Sequence, residues 1–323
     1  MSTGEPAPDP GSERTDPPDG DSGADGAGAG PGGLSHPTSA LGWVARYGRS
    51  LLESRHYRRH LGAVERFCFF VGYPRSGHSL VGSLHNAHSE ILIAHELDAV
   101  GYVEHHFGRA QVFALLVQRD QEFATMGRQW MGYDYVVPGQ FQGRWTTLKV
   151  VGDKRARTAT YRLAHDDSLL DRIRTVVGVP LRVVHVTRNP YDNITTMARR
   201  MAGARRQGIA PGAVKPVADI GEAIDRYAPL CQAVADLRPR LAPDELHEIA
   251  YEEFVGRPGP CLAALCAFLG VPADDAYIAA CAAIVWPQTR ATRQAVEWSD
   301  ADKRRVEDLI GRYPFLARYS WDS

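Results

Sequence analysis

The chain has 323 residues, 44% of them hydrophobic and 23% charged, with a formal net charge of −1. A chain of this length and composition buries a sizeable core without metals or disulfides, and its near-neutral charge argues against a nucleic-acid coat protein. No apolar run reaches about 18 residues, so no transmembrane helix is expected. The start shows no basic stretch followed by an apolar one, so no secretory leader is expected either. The five cysteines (Cys68, Cys231, Cys261, Cys266 and Cys281) form no CxxC pair, which reads as buried thiols in a reduced, cytoplasmic setting.

Taken in chain order, residues 1–38 are Gly, Pro, Asp, Ser and Ala with no aromatic residue, and read as a disordered acidic tail. Residues 1–36 hold seven carboxylates and one arginine, which leaves the remaining chain at about +5, suited to an anionic ligand. Residues 39–63 read as a basic amphipathic helix, with Trp43, Val44, Tyr47, Leu51 and Leu52 near helical spacing and arginines elsewhere. Packing on its own domain is preferred over a membrane or a partner, because the apolar face is short.

From residue 64 onward strands alternate with helices. Strands are expected at FCFFVGYP, ILIA (91–94), TLKVVGD (147–153), LRVVHVTR (181–188) and the start of LHEIAYEEF (246–254). Helices are expected after Gly77, over 101–130, 190–206, 219–238, 259–270 and 273–284. This alternation predicts an α/β protein: a three-layer αβα domain over 64–323 around a central parallel sheet.

The segment from Gly72 to Ser79, GYPRSGHS, joins an expected strand to an expected helix with Gly-x4-Gly-x-Ser spacing, the frame of a Walker A loop. Backbone N–H groups in such a loop converge on an anion, and the helix N-terminus adds its dipole. Arg75 adds a donor fork. His78 stands where an NTPase carries lysine, and the best strand ends in Arg188 rather than a magnesium-binding aspartate. Phosphate binding without triphosphate hydrolysis follows. Arg188 stands at a strand C-terminus, where open α/β sheets bind ligands. Thr196 and Arg200 follow on the next helix, one turn apart, and the three converge on a second phosphate.

The pair of motifs resembles the sulfotransferase superfamily, whose donor is 3′-phosphoadenylyl sulfate. YPRSGHSL resembles its 5′-phosphosulfate loop, and VVHVTRNPYDNITTM its 3′-phosphate element. The likeness is closer to the carbohydrate and tyrosylprotein type than to the cytosolic aryl type. It implies a P-loop-type fold, no metal, and a carbohydrate or small-metabolite hydroxyl as acceptor. It implies that Arg75, Ser76, Gly77, His78 and Ser79 hold the donor's 5′ end, and that Arg188 and Thr196 hold its 3′-phosphate. Arg200 matches a further basic position, Tyr251 a nucleotide contact, and Arg290 and Arg293 a late loop that closes over the 3′-phosphate. Having His78 in the loop raises a dependence on imidazole protonation near neutral pH.

Sulfuryl transfer needs a base for the acceptor proton and cations around the developing charge. The resemblance offers Glu96 as base, with His95 as rival. Adjacent residues of an extended segment face opposite ways, so one of the two faces the cleft. Lys154 is expected at the bridging oxygen and sulfonate, with Arg75 and His78 also offsetting charge. Asp98 and Asp153 are lesser carboxylate candidates.

The histidines at 85, 88 and 95 lack a metal-ligand frame. The Asn193-Ile194-Thr195 sequon reads as accidental. The basic stretch 197–215 reads as a solvated loop or a lid. A P-loop kinase or NTPase, and a non-catalytic nucleotide-binding descendant, are the alternative functions. Oligomeric state is not encoded in these motifs.

Overall fold

The computed structural model describes residue 37 and residues 39–206, 218–286 and 289–323. The expected tail, but for residue 37, and residues 207–215 of the basic stretch lie outside the described residues. In chain order the elements are α1 (Ala40–Leu61), β1 (Arg66–Gly72), α2 (His78–Asn86), β2 (Ile91–Ala94), α3 (Ala99–Glu104) and α4 (Arg109–Thr125). There follow β3 (Gln129–Trp130), β4 (Tyr133–Asp134), β5 (Val150–Asp153), α5 (Ala156–His165), α6 (Leu169–Val177), β6 (Leu181–Thr187) and α7 (Pro190–Arg206). The last are α8 (Ile220–Leu237), β7 (Leu246–Ala250), α9 (Tyr251–Gly256), α10 (Pro258–Leu269), α11 (Asp275–Ala283) and α12 (Asp300–Arg312).

Five strands form one parallel sheet in the order β2-β5-β1-β6-β7. The strand pleat sends alternate side chains to opposite faces. Phe67, Phe69 and Val71 of β1 join Val183 of β6 in one core. Cys68 and Phe70 join Val184 and Val186 in another. Helices cover both faces, as a parallel sheet requires, and each fully buried Phe or Leu contributes roughly 1.5–3 kcal/mol. The expected αβα layering with a central parallel sheet is therefore the observed one.

Two local expectations are corrected. Residues 101–130 do not form one helix. His106, Gly127, Arg128 and Met131 adopt positive φ, which ends α3 and α4 and turns the chain into the β3–β4 hairpin. Helix α1 does pack on α4, with Ser50 bonded to Gln111 and Tyr57 to Gln121, while Trp43 packs on Tyr102, His105 and Phe107. The Ser50 and Ser54 hydroxyls donate to the Tyr47 and Leu51 carbonyls, so these small polar residues sit buried at no hydrogen-bond cost. Val44, Leu51 and Leu52 are exposed.

Candidate active site

All five strands of the main sheet end at one edge, and the loop after each supplies a predicted site residue. The loop after β1 carries Arg75 to Ser79. Glu96 follows β2, Lys154 follows β5, Arg188 follows β6, and Tyr251 follows β7. A cavity of about 620 Å³ lies there, lined among others by Arg75, Gly77, His78, Ser79, Glu96, Arg188, Thr196, Arg200 and Tyr251.

The β1 loop is held from behind. Gly72 N–H donates to Thr160 Oγ1 at 2.8 Å, and Asn193 Nδ2 donates to the Pro74 carbonyl at 2.8 Å. Asn193 is thereby fully buried, which removes the sequon from the surface. Tyr73 OH meets His185 Nε2 at 3.2 Å, and His185 Nδ1 meets Glu248 at 2.9 Å. Arg75 takes a left-handed φ of 69°, and its Nη1 lies 2.9 Å from Met131 Sδ. Helix α2 then opens at His78 with no side chain capping its first turn, leaving its positive end toward the cavity.

Gly77 adopts φ 97°, and a Cβ there would lie 2.2 Å from Tyr251 Cδ2. Both facts require glycine. Gly77→Ala is expected to destabilise the protein by about 1–3 kcal/mol, read as a lower Tm. Adding Tyr251→Ala should return the steric part of the loss. An unchanged Tm in the single variant would show that the loop rearranges freely.

His78 is buried, with Nδ1 3.3 Å from Ser76 Oγ, and burial together with Lys154 and Arg75 pushes its pKa down to about 3. The imidazole is neutral at neutral pH. That corrects the expectation of a protonation switch or a positive charge at this position. Ser76 itself points back, donating to the Tyr73 carbonyl at 3.1 Å.

Lys154 is 2% exposed. Its Nζ donates to Glu96 Oε1 at 2.7 Å and to Ser79 Oγ at 2.8 Å. Burial lowers the ammonium pKa against the opposing pull of Glu96. Burial works to raise the Glu96 carboxyl, yet Lys154 and the other nearby cations hold it below its ordinary value. Arg155 Nε stands 3.7 Å from Glu96 Oε2.

Glu96 reaches Lys154 because the chain leaves β2 in a left-handed turn, with Glu96 at φ 61° and Asp98 at φ 71°. Asp153 holds this turn by accepting from Leu97 N–H at 3.1 Å and Ala99 N–H at 2.8 Å. Burial raises its carboxyl to about 6. Asp98 caps α3 and pairs with Arg162. His95 lies behind the wall, stacked on Phe123 at 4.0 Å. Of the two neighbours Glu96 faces the cavity, through the turn rather than through strand alternation.

Arg188 sits between the two motifs. Its Nη1 lies 3.3 Å from the Arg75 carbonyl and 3.5 Å from Thr196 Oγ1, and its guanidinium lies 5.6 Å from the Tyr251 ring centroid. Its Nε is buried without a partner. Tyr251 opens a helix rather than sitting within a strand. Arg290 is exposed, and its carbonyl accepts from Arg188 at 3.5 Å. Arg293 is placed away from the cavity wall: its Nη1 pairs with Asp192 at 2.6 Å and its Nη2 donates to the Ser323 carbonyl at 2.7 Å.

Further wall residues carry no motif: Trp130, Met131, Tyr133 and Tyr135 of the hairpin, Arg157 and Tyr161 of α5, and Arg226 of α8. The Gly127 and Gly132 pair flanking Trp130 was the available signal for the hairpin. The histidines noted as a series are dispersed: His88 meets the Pro272 carbonyl, and His85 packs edge-on to Phe70. All five cysteines are free. Among the described residues no helix is long and apolar enough to cross a membrane.

Solved structures to which this chain is similar include three sulfotransferases. The sulfotransferase domain from the curacin biosynthetic pathway is 16% identical, with a TM-score of 0.46 over 80% of this chain and 99% of that one. Sulfotransferase STF9 from Mycobacterium avium is 12% identical, with a TM-score of 0.47 over 84% of each chain. Mouse sulfotransferase SULT7A1, solved with PAP, is 12% identical, with a TM-score of 0.40 over 77% of this chain and 83% of that one. No curated protein sequence matches the chain. Residues 179–275, which carry the Arg188–Thr196 element and Tyr251, match the model of the sulfotransferase family, and the chain is consistent with a member of the sulfotransferase superfamily.

Proposed function

We propose that this protein transfers a sulfuryl group from 3′-phosphoadenylyl sulfate to the hydroxyl of a carbohydrate or small metabolite, releasing adenosine 3′,5′-bisphosphate. The observation that carries this reading is one cavity lined together by the β1 loop, Arg188, Thr196 and Glu96, with the buried Lys154 bonded to Glu96 behind its wall. The residues suit such a donor. The unpartnered Arg188 Nε and the uncapped start of α2 each leave donors for an anionic nucleotide. Arg75, Ser76, Gly77, His78 and Ser79 take the 5′ end, His78 as a neutral donor. Arg188, Thr196 and Arg200 take the 3′-phosphate. Tyr251 flanks the nucleotide, and Arg290 adds charge at the rim. Arg293 acts indirectly, by fixing Asp192, whose carbonyl accepts from Thr196 Oγ1 at 2.8 Å. The free thiols support a reduced, cytoplasmic setting.

In the transfer, the acceptor oxygen forms its bond to sulfur as the bond from sulfur to the bridging phosphate oxygen breaks. Glu96 receives the acceptor proton. Lys154 moves its charge toward the leaving phosphate, which loosens its hold on Glu96 and raises that carboxylate's basicity when the donor is in place.

Thermal unfolding tests the reading. Adenosine 3′,5′-bisphosphate without metal is expected to raise Tm, since ligand at about 100 times its Kd adds roughly 2.7 kcal/mol. Arg188→Ala should weaken that binding by about tenfold to a hundredfold. Stabilisation by magnesium-ATP alone would replace the reading with a P-loop kinase.

A further inference from the structure

Helix α1 carries apolar side chains on two opposite faces. Trp43, Tyr57 and Leu61 pack on the core of the domain. Leu41, Val44, Leu51 and Leu52 recur at helical spacing on the other side and are 47% to 82% exposed. Leu41, Leu51 and Leu52 are the exposed leucines among the described residues, and all three stand on this one face. The packing that buries one side of α1 therefore leaves a second apolar stripe in water. Arg55 and Arg59 continue that stripe toward the helix end, while Arg49 and Arg58 flank it. All four are exposed, and none has an ion pair with a described residue. Glu53 is the one carboxylate of the helix, and it accepts from Gln118 at 3.1 Å rather than from an arginine.

We propose that α1 lays this face on the surface of an anionic lipid bilayer. Leu41, Val44, Leu51 and Leu52 enter the boundary between headgroups and acyl chains. The arginine stems lie along the apolar surface while their guanidinium groups meet lipid phosphates and carboxylates. Among the described residues no helix is long and apolar enough to cross a membrane, so α1 lies on the surface. Charge and shape favour this occupant over two others. Residues 1–36 match the charge with seven carboxylates, but Met1 and Leu34 are their only large apolar residues, too few to cover the stripe. A second copy would supply leucines but no carboxylate on this face, so pairing two α1 helices would bury arginines without partners. An anionic bilayer supplies both the apolar and the negative component.

Co-sedimentation of the full chain tests this, with vesicles of phosphatidylcholine alone and with vesicles holding about 30% phosphatidylserine. The chain is expected to bind the anionic vesicles and not the neutral ones, and to bind more weakly as salt is raised. Arg55→Gln combined with Arg59→Gln should weaken that binding by about thirtyfold. Leu51→Ser combined with Leu52→Ser should weaken it by at least about tenfold. These side chains are exposed, so Tm should stay close to that of the unaltered protein in both variants. Equal binding to both kinds of vesicle, binding to neither, or full retention by either double variant would overturn the inference. A dimer in sedimentation velocity that the double serine variant dissolves would overturn it in favour of a second copy. Capture of soluble polyglutamate without vesicle binding would overturn it in favour of an acidic protein.

Discussion

Glu96→Gln is expected to lower kcat by about 10²–10⁴-fold, the usual worth of a positioned general base. Adenosine 3′,5′-bisphosphate affinity should stay within about twofold, since the proposed donor contacts lie on other loops. The amide keeps the shape and a hydrogen bond to Lys154 but takes no proton. Single-turnover measurements with saturating donor separate this loss from slow product release. A variant that keeps wild-type turnover would remove Glu96 from the chemistry. His95 would not inherit the role as it stands, because burial first, and then Lys154 and Arg119, hold its imidazole well below its ordinary pKa.

Lys154→Met should abolish measurable transfer and also weaken the fold. Lys154 is 2% exposed and its ammonium joins Glu96 to Ser79, so removing it strands a carboxylate among buried groups. The expected cost is about 3 kcal/mol, the low end of the range for a broken buried pair because Glu96 still faces the cavity. Combining Lys154→Met with Glu96→Gln should restore much of the stability and none of the activity. Acid gives a second readout. Glu96 has a folded pKa below its usual 4.5, so its pairing stabilises the fold above that pH and is lost as pH falls through the folded value. The Tm gap between wild type and Lys154→Met should therefore narrow on acidification. A gap that widens instead would deny the ion pair its place.

The parts of the fold written as local pattern were legible in the sequence. ILIA, LRVVHVT and the strand before Gly72 are short apolar runs bounded by turn residues, and each is a strand of the sheet. Arg188 at a strand end and Thr196 eight residues on were associated by the strand-to-helix motif, and Arg188 Nη1 lies 3.5 Å from Thr196 Oγ1. Features decided by tertiary contact were not legible. The Arg293 guanidinium faces Asp192, far away in sequence, rather than the cavity. The neutral state of His78 follows from its burial beside Lys154 and Arg75, which no motif encodes. The hairpin wall was hidden because Gln129, Trp130 and Met131 continue the composition of α4, and only the left-handed residues around them break it.

The strand order also constrains how the site comes into being. β1 is first in sequence yet central in the sheet, with Arg66 paired to Val150 on one side and Phe67 to Leu181 on the other. During synthesis both of its edges stay open until those later strands emerge, and its apolar residues wait with them. Such non-local parallel pairing is slow and exposes sticky edges meanwhile. A fragment ending at residue 177 would hold the whole phosphate loop and still lack β6 and everything it carries. It should aggregate and ignore the bisphosphate, for the proposed binding site is complete only once β6 and β7 have docked.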